Sequence, residues 1–167
     1  GLPGGGPPDA MSLLCWNCRG IGSDPTIQEL REFANKFAPR VLCIVETRLS
    51  GDRVENLKST LGFDSSFAVD ASDRSGGLAM FWNNEIKLKI EGYSRYHIDA
   101  LIDETGPSPW RLTCVRGEAQ VAARQNTWDT IQGLAGTSSL PWLLIGDFNE
   151  VLHASEHDGV GQRSQGQ

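Results

Sequence analysis

The sequence predicts a single mixed α/β domain, and three observations carry that prediction. The chain opens with an apolar strand, an amphipathic helix and a second apolar strand, an order consistent with a parallel βαβ unit. A run of short strand-like segments follows from Ser65 to Val115, separated by Asp, Asn, Gly and Pro. Three apolar runs end abruptly in polar residues, at Asn17, at Glu46 and at Asp147 with Asn149. The chain has 167 residues, enough for one domain with a sizeable core.

Taken in order, residues 1–10 (Gly-Leu-Pro-Gly-Gly-Gly-Pro-Pro-Asp-Ala) read as a flexible leader. The first strand is predicted at about 11–16. Ser23-Asp24-Pro25 is a helix start, a capping residue followed by Pro at the first helical position. Ile27, Leu30, Ala34 and Phe37 form the apolar face of that helix, and Pro39 stops it. Val41–Val45 is the second strand, and residues 52–60 a short helix. Strands are predicted at 65–70, 77–82, 86–91, 98–103 and 110–115, arranged as an antiparallel meander. A second helix spans Val121 to Leu134, with Arg124, Trp128, Ile131 and Ala135 on one side. The last strand is 142–147, and residues 159–167 read as a Gly/Gln/Ser-rich tail, leaving 11–158 as the domain.

Composition narrows the partners. Hydrophobic content of 39% and charged content of 22% suit a globular chain rather than a disordered one. No segment approaches the roughly 20 apolar residues of a membrane span, and no secretory signal is visible, so an intracellular location is expected. The formal net charge is −6, which weighs against tight DNA binding, since phosphate contacts supply most of that affinity. Residues 61–110 hold eight Asp/Glu against four Lys/Arg, whereas residues 1–60 are balanced. A phosphate-facing surface would therefore draw on Arg19, Arg48, Arg53 and Lys58. The four cysteines are read as buried reduced thiols. Cys15 and Cys18 have C-x-x-C spacing, but a zinc site would need a second pair or nearby histidines. His97 sits in a strand with no visible partner; His153 and His157 follow the last strand and are expected to be solvated.

The strand ends carry the chemistry. Side chains two apart on a strand share a face, so Asp147 and Asn149 would point the same way with Phe148 turned to the core. A carboxylate beside a carboxamide can position a water, a phosphate oxygen or a metal; the plain alternative is an Asx turn. Glu46 offers a hard oxygen donor, or is merely a solvated residue after a strand. Asn17 can bond a phosphate oxygen or orient a carboxylate, or simply shape the turn before Gly20. Gly76-Gly77 reads as a tight turn into a strand, and the tryptophans as packing rather than stacking platforms.

Four motifs occur in order: Trp16-Asn17-Cys18-Arg19-Gly20, Val45-Glu46-Thr47-Arg48, Gly76-Gly77-Leu78-Ala79-Met80-Phe81-Trp82 and Gly146-Asp147-Phe148-Asn149-Glu150. Together they resemble the endonuclease/exonuclease/phosphatase superfamily, and more narrowly the amino-terminal endonuclease domain of plant non-LTR (LINE-type) retrotransposon polyproteins. The resemblance implies a four-layer α/β sandwich, two stacked mixed β-sheets flanked by helices. It implies a phosphodiester hydrolase that nicks DNA with magnesium, or manganese in its place, held by Glu46 and Asn17. Asp147 would orient or deprotonate the attacking water and Asn149 would hold the phosphate. Further implications are weak or non-specific DNA binding, a nuclear site of action, no membrane partner, and a reverse transcriptase domain in the full-length polyprotein.

The chain departs from the pattern in two places. In Thr113-Cys114-Val115-Arg116-Gly117-Glu118-Ala119, Arg116 stands where the resembled family has a Tyr that contacts the phosphate. Arg116, and Arg48 beside Glu46, are retained as phosphate contacts, although a guanidinium cannot reproduce a phenol's geometry or proton. The family also continues past Glu156-His157-Asp158-Gly159 through further strands to a catalytic Asp-His pair. The resemblance thus implies a C-terminally truncated domain with impaired turnover and unpaired sheet edges. Two alternatives stay open: an inactive retroelement remnant, and a phosphomonoesterase or inositol-phosphatase-like member of the superfamily.

Overall fold

A computed structural model describes residues 12–72, 75–103, 106–117 and 124–147. The chain begins with β1 (Leu13–Asn17), α1 (Asp24–Phe37) and β2 (Val41–Val45), and β1 and β2 pair in parallel as the strand–helix–strand order predicts. Ser23 caps α1: its hydroxyl accepts from the Thr26 N–H at 3.4 Å, supplying one of the partners a helix start lacks. Ala38, with φ 44°, turns the chain out of the helix before Pro39. Two short helices follow, α2 (Gly51–Glu55) and α3 (Lys58–Leu61), in place of one helix over 52–60. β3 (Ser65–Ser72) and β4 (Ser75–Trp82) are antiparallel, and β4 lies antiparallel along β2.

The second half builds its own sheet. β5 (Leu88–Ser94), β6 (His97–Ile102) and β7 (Trp110–Arg116) are antiparallel neighbours. α4 (Arg124–Ala135) then leads to β8 (Trp142–Asp147), which pairs with β7 in parallel. The strand orders are β1-β2-β4-β3 and β5-β6-β7-β8. The expected single meander is therefore split between Trp82 and Leu88. Alternation along a strand shows which face is buried but not which edge finds a partner, and β4 pairs with β2 rather than continuing into β5.

Period-2 alternation in β2 and β4 places the layers. Val41, Cys43, Val45, Leu78 and Met80 pack with Ile98, Ala100, Ile102, Leu112 and Cys114, so the two sheets stack face to face. The intervening residues Leu42, Ile44, Ala79 and Phe81 point the other way, against Leu30 and Ala34 of α1, Val54 of α2 and Leu61 of α3. β2 is thus buried on both faces, which explains its uninterrupted apolar sequence. Emptying the seat of fully buried Phe81 with alanine would cost about 3–5 kcal/mol. The outer face of the second sheet is covered by α4, whose Leu134 carbonyl accepts from Arg111 at 2.9 Å. The architecture is the expected helix–sheet–sheet–helix sandwich of α/β class.

Two side-chain expectations change. Phe37 does not join the core: it is 51% exposed, stacked on Phe33 with centroids 6.1 Å apart. On α4 the buried residue is Thr127, while Trp128 is 37% exposed. No helix among the described residues is long and apolar enough to cross a membrane. The leader at 1–10, the tail at 159–167 and the domain limits drawn at 11 and 158 lie outside the described residues.

Candidate active site

β1 and β2 run parallel in one sheet, and β7 and β8 run parallel in the other. Their C-terminal ends meet at one end of the sandwich. Asn17 closes β1, Glu46 follows β2, Arg116 closes β7, and Asp147 closes β8 as the register partner of Arg116. Two contacts join these ends across the gap between sheets. Asn17 Nδ2 donates to Asp147 Oδ2 at 2.6 Å, and Arg116 Nη1 donates to Glu46 Oε1 at 3.4 Å.

The backbone around Glu46 is constrained. Glu46 itself has φ 64°, in the left-handed region that costs a non-glycine residue about 1–2 kcal/mol. Its N–H donates to the Gly77 carbonyl at 3.0 Å, and its carbonyl accepts from the Gly20 N–H at 2.7 Å. A Cβ at Gly77 would overlap the Thr47 hydroxyl, so the double glycine lets β4 come this close. The side chain is held as firmly. Oε2 accepts from the Gly76 N–H at 3.2 Å and faces Arg48 Nε at 3.7 Å, while Oε1 faces Arg116. Gly76 is thus a site residue that the sequence reading assigned to turn geometry alone. Only the adjacency of Gly76 and Gly77 signalled it in the sequence.

The Asp147 side rests on another glycine. Gly146 has φ 143°, and a Cβ there would overlap the Val115 carbonyl. The Asp147 carbonyl then accepts from the Gly117 N–H at 2.5 Å, which fixes the strand's end beside Arg116. Asn17 Oδ1 accepts from the Arg19 N–H at 3.2 Å, so the Asn17 amide is oriented from both ends. Asn149, Phe148, His153 and His157 lie outside the described residues.

Arg116 is placed differently from a simple phosphate contact. It is only 6% exposed and pairs with Glu46. Arg48, by contrast, has a side chain 48% exposed, so its contact with Glu46 is screened by water. The cysteines are all free thiols. Cys18 lies past the end of β1 and its thiol donates to the Glu46 carbonyl at 3.2 Å. Burial pushes it up to about 11, which removes it as a nucleophile. Cys15, only half-buried, is pushed further up, first by its hydrogen bond with Cys114 and then by burial. His97 does have a partner: its Nδ1 lies 2.6 Å from the Ser94 hydroxyl, and burial lowers its pKa.

A model of the endonuclease/exonuclease/phosphatase family matches residues 14–164. The chain belongs to that family. Solved structures share the fold at low identity. The catalytic domain of human Nocturnin, with bound sulfate, is 15% identical, with TM-score 0.60; the alignment covers 84% of this chain and 64% of that one. The 3′ phosphatase NExo from Neisseria, bound to a product DNA hairpin, is 13% identical, with TM-score 0.62 and coverage of 87% and 60%. The endonuclease domain of TRAS1, a telomere-specific non-LTR retrotransposon, is 10% identical, with TM-score 0.58 and coverage of 84% and 59%. The chain therefore spans about three-fifths of the length of these structures. A comparison with curated proteins finds no match.

Members of the family generally depend on a divalent metal. Glu46, Asn17 and Asp147 offer carboxylate and amide oxygens, the hard donors that magnesium takes while keeping several waters. Among the described residues no three His, Cys, Asp or Glu side chains gather as a metal cage. A cation here would thus use one or two carboxylates plus water, and would share Glu46 with Arg116. The donor chemistry fits a divalent ion on those terms.

Proposed function

We propose that this chain is a metal-dependent phosphodiester hydrolase acting on DNA, of the kind that nicks target DNA for a LINE-type retroelement. The hydrogen bond from Asn17 to Asp147, closing the two sheets beside Glu46, is the observation that carries the reading. Four strand ends from two sheets deliver a carboxamide, two carboxylates and a guanidinium to one place, a convergence with no need in packing alone.

Each residue has a part in this reading. Glu46 and Asn17 hold the divalent ion, magnesium or manganese, whose chemistry is to neutralise charge developing on the phosphate. Asp147, with one oxygen fixed by Asn17, orients a water toward phosphorus and takes its proton. Arg48, half-exposed at the rim, meets the incoming phosphate. Asn149 holds a phosphate oxygen, a role that rests on the sequence motif, and Arg116 is a further phosphate contact. Action on chromosomal DNA places the protein in the nucleus, with a reverse transcriptase domain in the same polyprotein as the partner that extends the nick.

A second reading, a phosphomonoesterase, is favoured by the net charge of −6, which gives duplex DNA little to bind. A third, an inactive remnant, is favoured by the ion pair that already engages Glu46. Relaxation of supercoiled plasmid, with magnesium and with chelator, separates the three when run beside hydrolysis of a phosphomonoester. Magnesium-dependent nicking abolished by Glu46→Gln is the expected result. Turnover of the monoester alone favours the second reading, and turnover of neither substrate favours the third.

A further inference from the structure

The guanidinium of Arg116 is built into the site rather than brushing against it. Its Nη1 donates to Glu46 Oε1 at 3.4 Å and its Nη2 to the Arg95 carbonyl at 3.4 Å. Its Cζ lies 5.3 Å from the centre of the Tyr96 ring, and its own backbone N–H donates to the Tyr96 carbonyl at 2.8 Å. The group slides across bare backbone at Gly76, where a Cβ would stand 3.3 Å from Cζ. Its Nε is buried and has no hydrogen-bond partner among the described residues. The seat therefore satisfies the guanidinium's donors incompletely. What the seat supplies is the charge of Glu46.

We infer that Arg116 is an internal counter-cation that competes with the divalent metal for Glu46, so that this chain binds the metal weakly and loses the Arg116–Glu46 contact when it does. The inference rests on the reading of Glu46 as a metal ligand. The physical reason is simple. A guanidinium and a divalent cation on one carboxylate repel each other, and Arg116, being 6% exposed, is poorly screened by water. Arg48 is too exposed to exert the same effect. Binding of the ion and pairing of Arg116 are thus two ends of one coupled equilibrium.

Calorimetric titration with Mn²⁺ of the wild type, Arg116→Gln, Arg116→Lys and the Glu46→Gln/Arg116→Gln double variant tests this. Arg116→Gln should tighten binding by about tenfold or more, a difference of about 1.4 kcal/mol, and Arg116→Lys should not. Adding Glu46→Gln should abolish the gain. Equal affinity in the wild type and Arg116→Gln overturns the competition while leaving the metal site in place. Tightened binding that survives Glu46→Gln overturns the assignment of Glu46 as ligand, as does the absence of binding in every variant. Should Arg116→Gln fail to fold, the wild type still decides. The ¹⁵N side-chain Nε–H signal of Arg116 should shift as Mg²⁺ is added. A signal that stays put once Mg²⁺ binding is saturated overturns the proposal.

Discussion

Asn17 and Asp147 stand 130 residues apart in sequence, at the C-terminal ends of strands in different sheets, and their side chains meet at 2.6 Å. Together with the Arg116–Glu46 contact, this bond joins the ends of the stacked sheets at the site. It engages one oxygen of the Asp147 carboxylate, and it depends on Asn17 presenting a donor rather than an acceptor.

A substitution series at Asn17 follows from that geometry. Asn17→Ala should lower nicking by about 10²-fold, the order seen when a single positioned donor is lost from an active site. Its cost in stability should be about 1–3 kcal/mol, since a partly buried acceptor loses its partner. Asn17→Asp should be less stable than Asn17→Ala at pH 8, because two charged carboxylates at that distance repel each other. One of the pair then takes a proton as the pH falls, and the gap between the variants should narrow toward pH 5. Thermal midpoints across that range check the sign. An Asn17→Asp protein as stable as the wild type at pH 8 would show that the two side chains do not meet.

The outer face of the second sheet supplies a prediction on stability. Arg111 donates through Nε and Nη2 to the two oxygens of Asp99, each at 3.2 Å, and Thr113 donates to Asp99 Oδ1 at 2.6 Å. Trp142 donates to the Thr113 hydroxyl at 2.7 Å, and the Arg111 guanidinium lies 4.6 Å from the centre of its ring. The Arg111 and Asp99 side chains are 4% and 9% exposed. Asp99→Ala should cost about 3–5 kcal/mol in urea denaturation, because it strands a buried guanidinium. Asp99→Leu combined with Arg111→Met should recover most of that loss, since a buried pair is replaced by apolar groups of similar volume. Additive losses in the double variant would show that the two residues act independently.

How far such features could be read beforehand depended on their range. The uniform apolar run of β2 and the Ser23-Asp24-Pro25 start of α1 are local, and each folds as its own residues dictate. The ends at Asn17, Glu46 and Asp147 were visible as ends, because a strand that stops at a polar residue says so in its own sequence. Three such ends in one chain suggested a shared polar site, and the family motifs supplied the roles of its residues. The pairing of Arg116 with Glu46 spans 70 residues and two sheets, and nothing near either residue announces it. Asp99 and Arg111 are the opposite case, buried charges that no local pattern marks as such. Charges within a strand read as a solvent face, and only the docking of α4 makes that face an interior. Gly146 was legible as the stop of a strand, but the close approach of the Val115 carbonyl that requires it is a property of the assembled sheet.

His97 provides a prediction on acid stability. The residue is 8% exposed, its Nδ1 lies 2.6 Å from the Ser94 hydroxyl, and burial lowers its pKa, with Arg111 adding to the effect and Asp99 opposing it. Lowering by burial means that the folded protein resists protonation more than the unfolded chain, whose His titrates near 6.5. The unfolded state therefore binds more protons as the pH falls below that value, and stability must drop with it. The loss begins near pH 6.5 and continues until the pH reaches the lower folded value. The thermal midpoint should fall between pH 7.5 and pH 5.5, and His97→Gln, which can keep a hydrogen bond to Ser94 without titrating, should flatten that fall. Midpoints of the two proteins measured in parallel decide the matter, because any contribution from His153 and His157 is common to both. Curves that fall together below pH 6.5 would mean that His97 is not the group responsible.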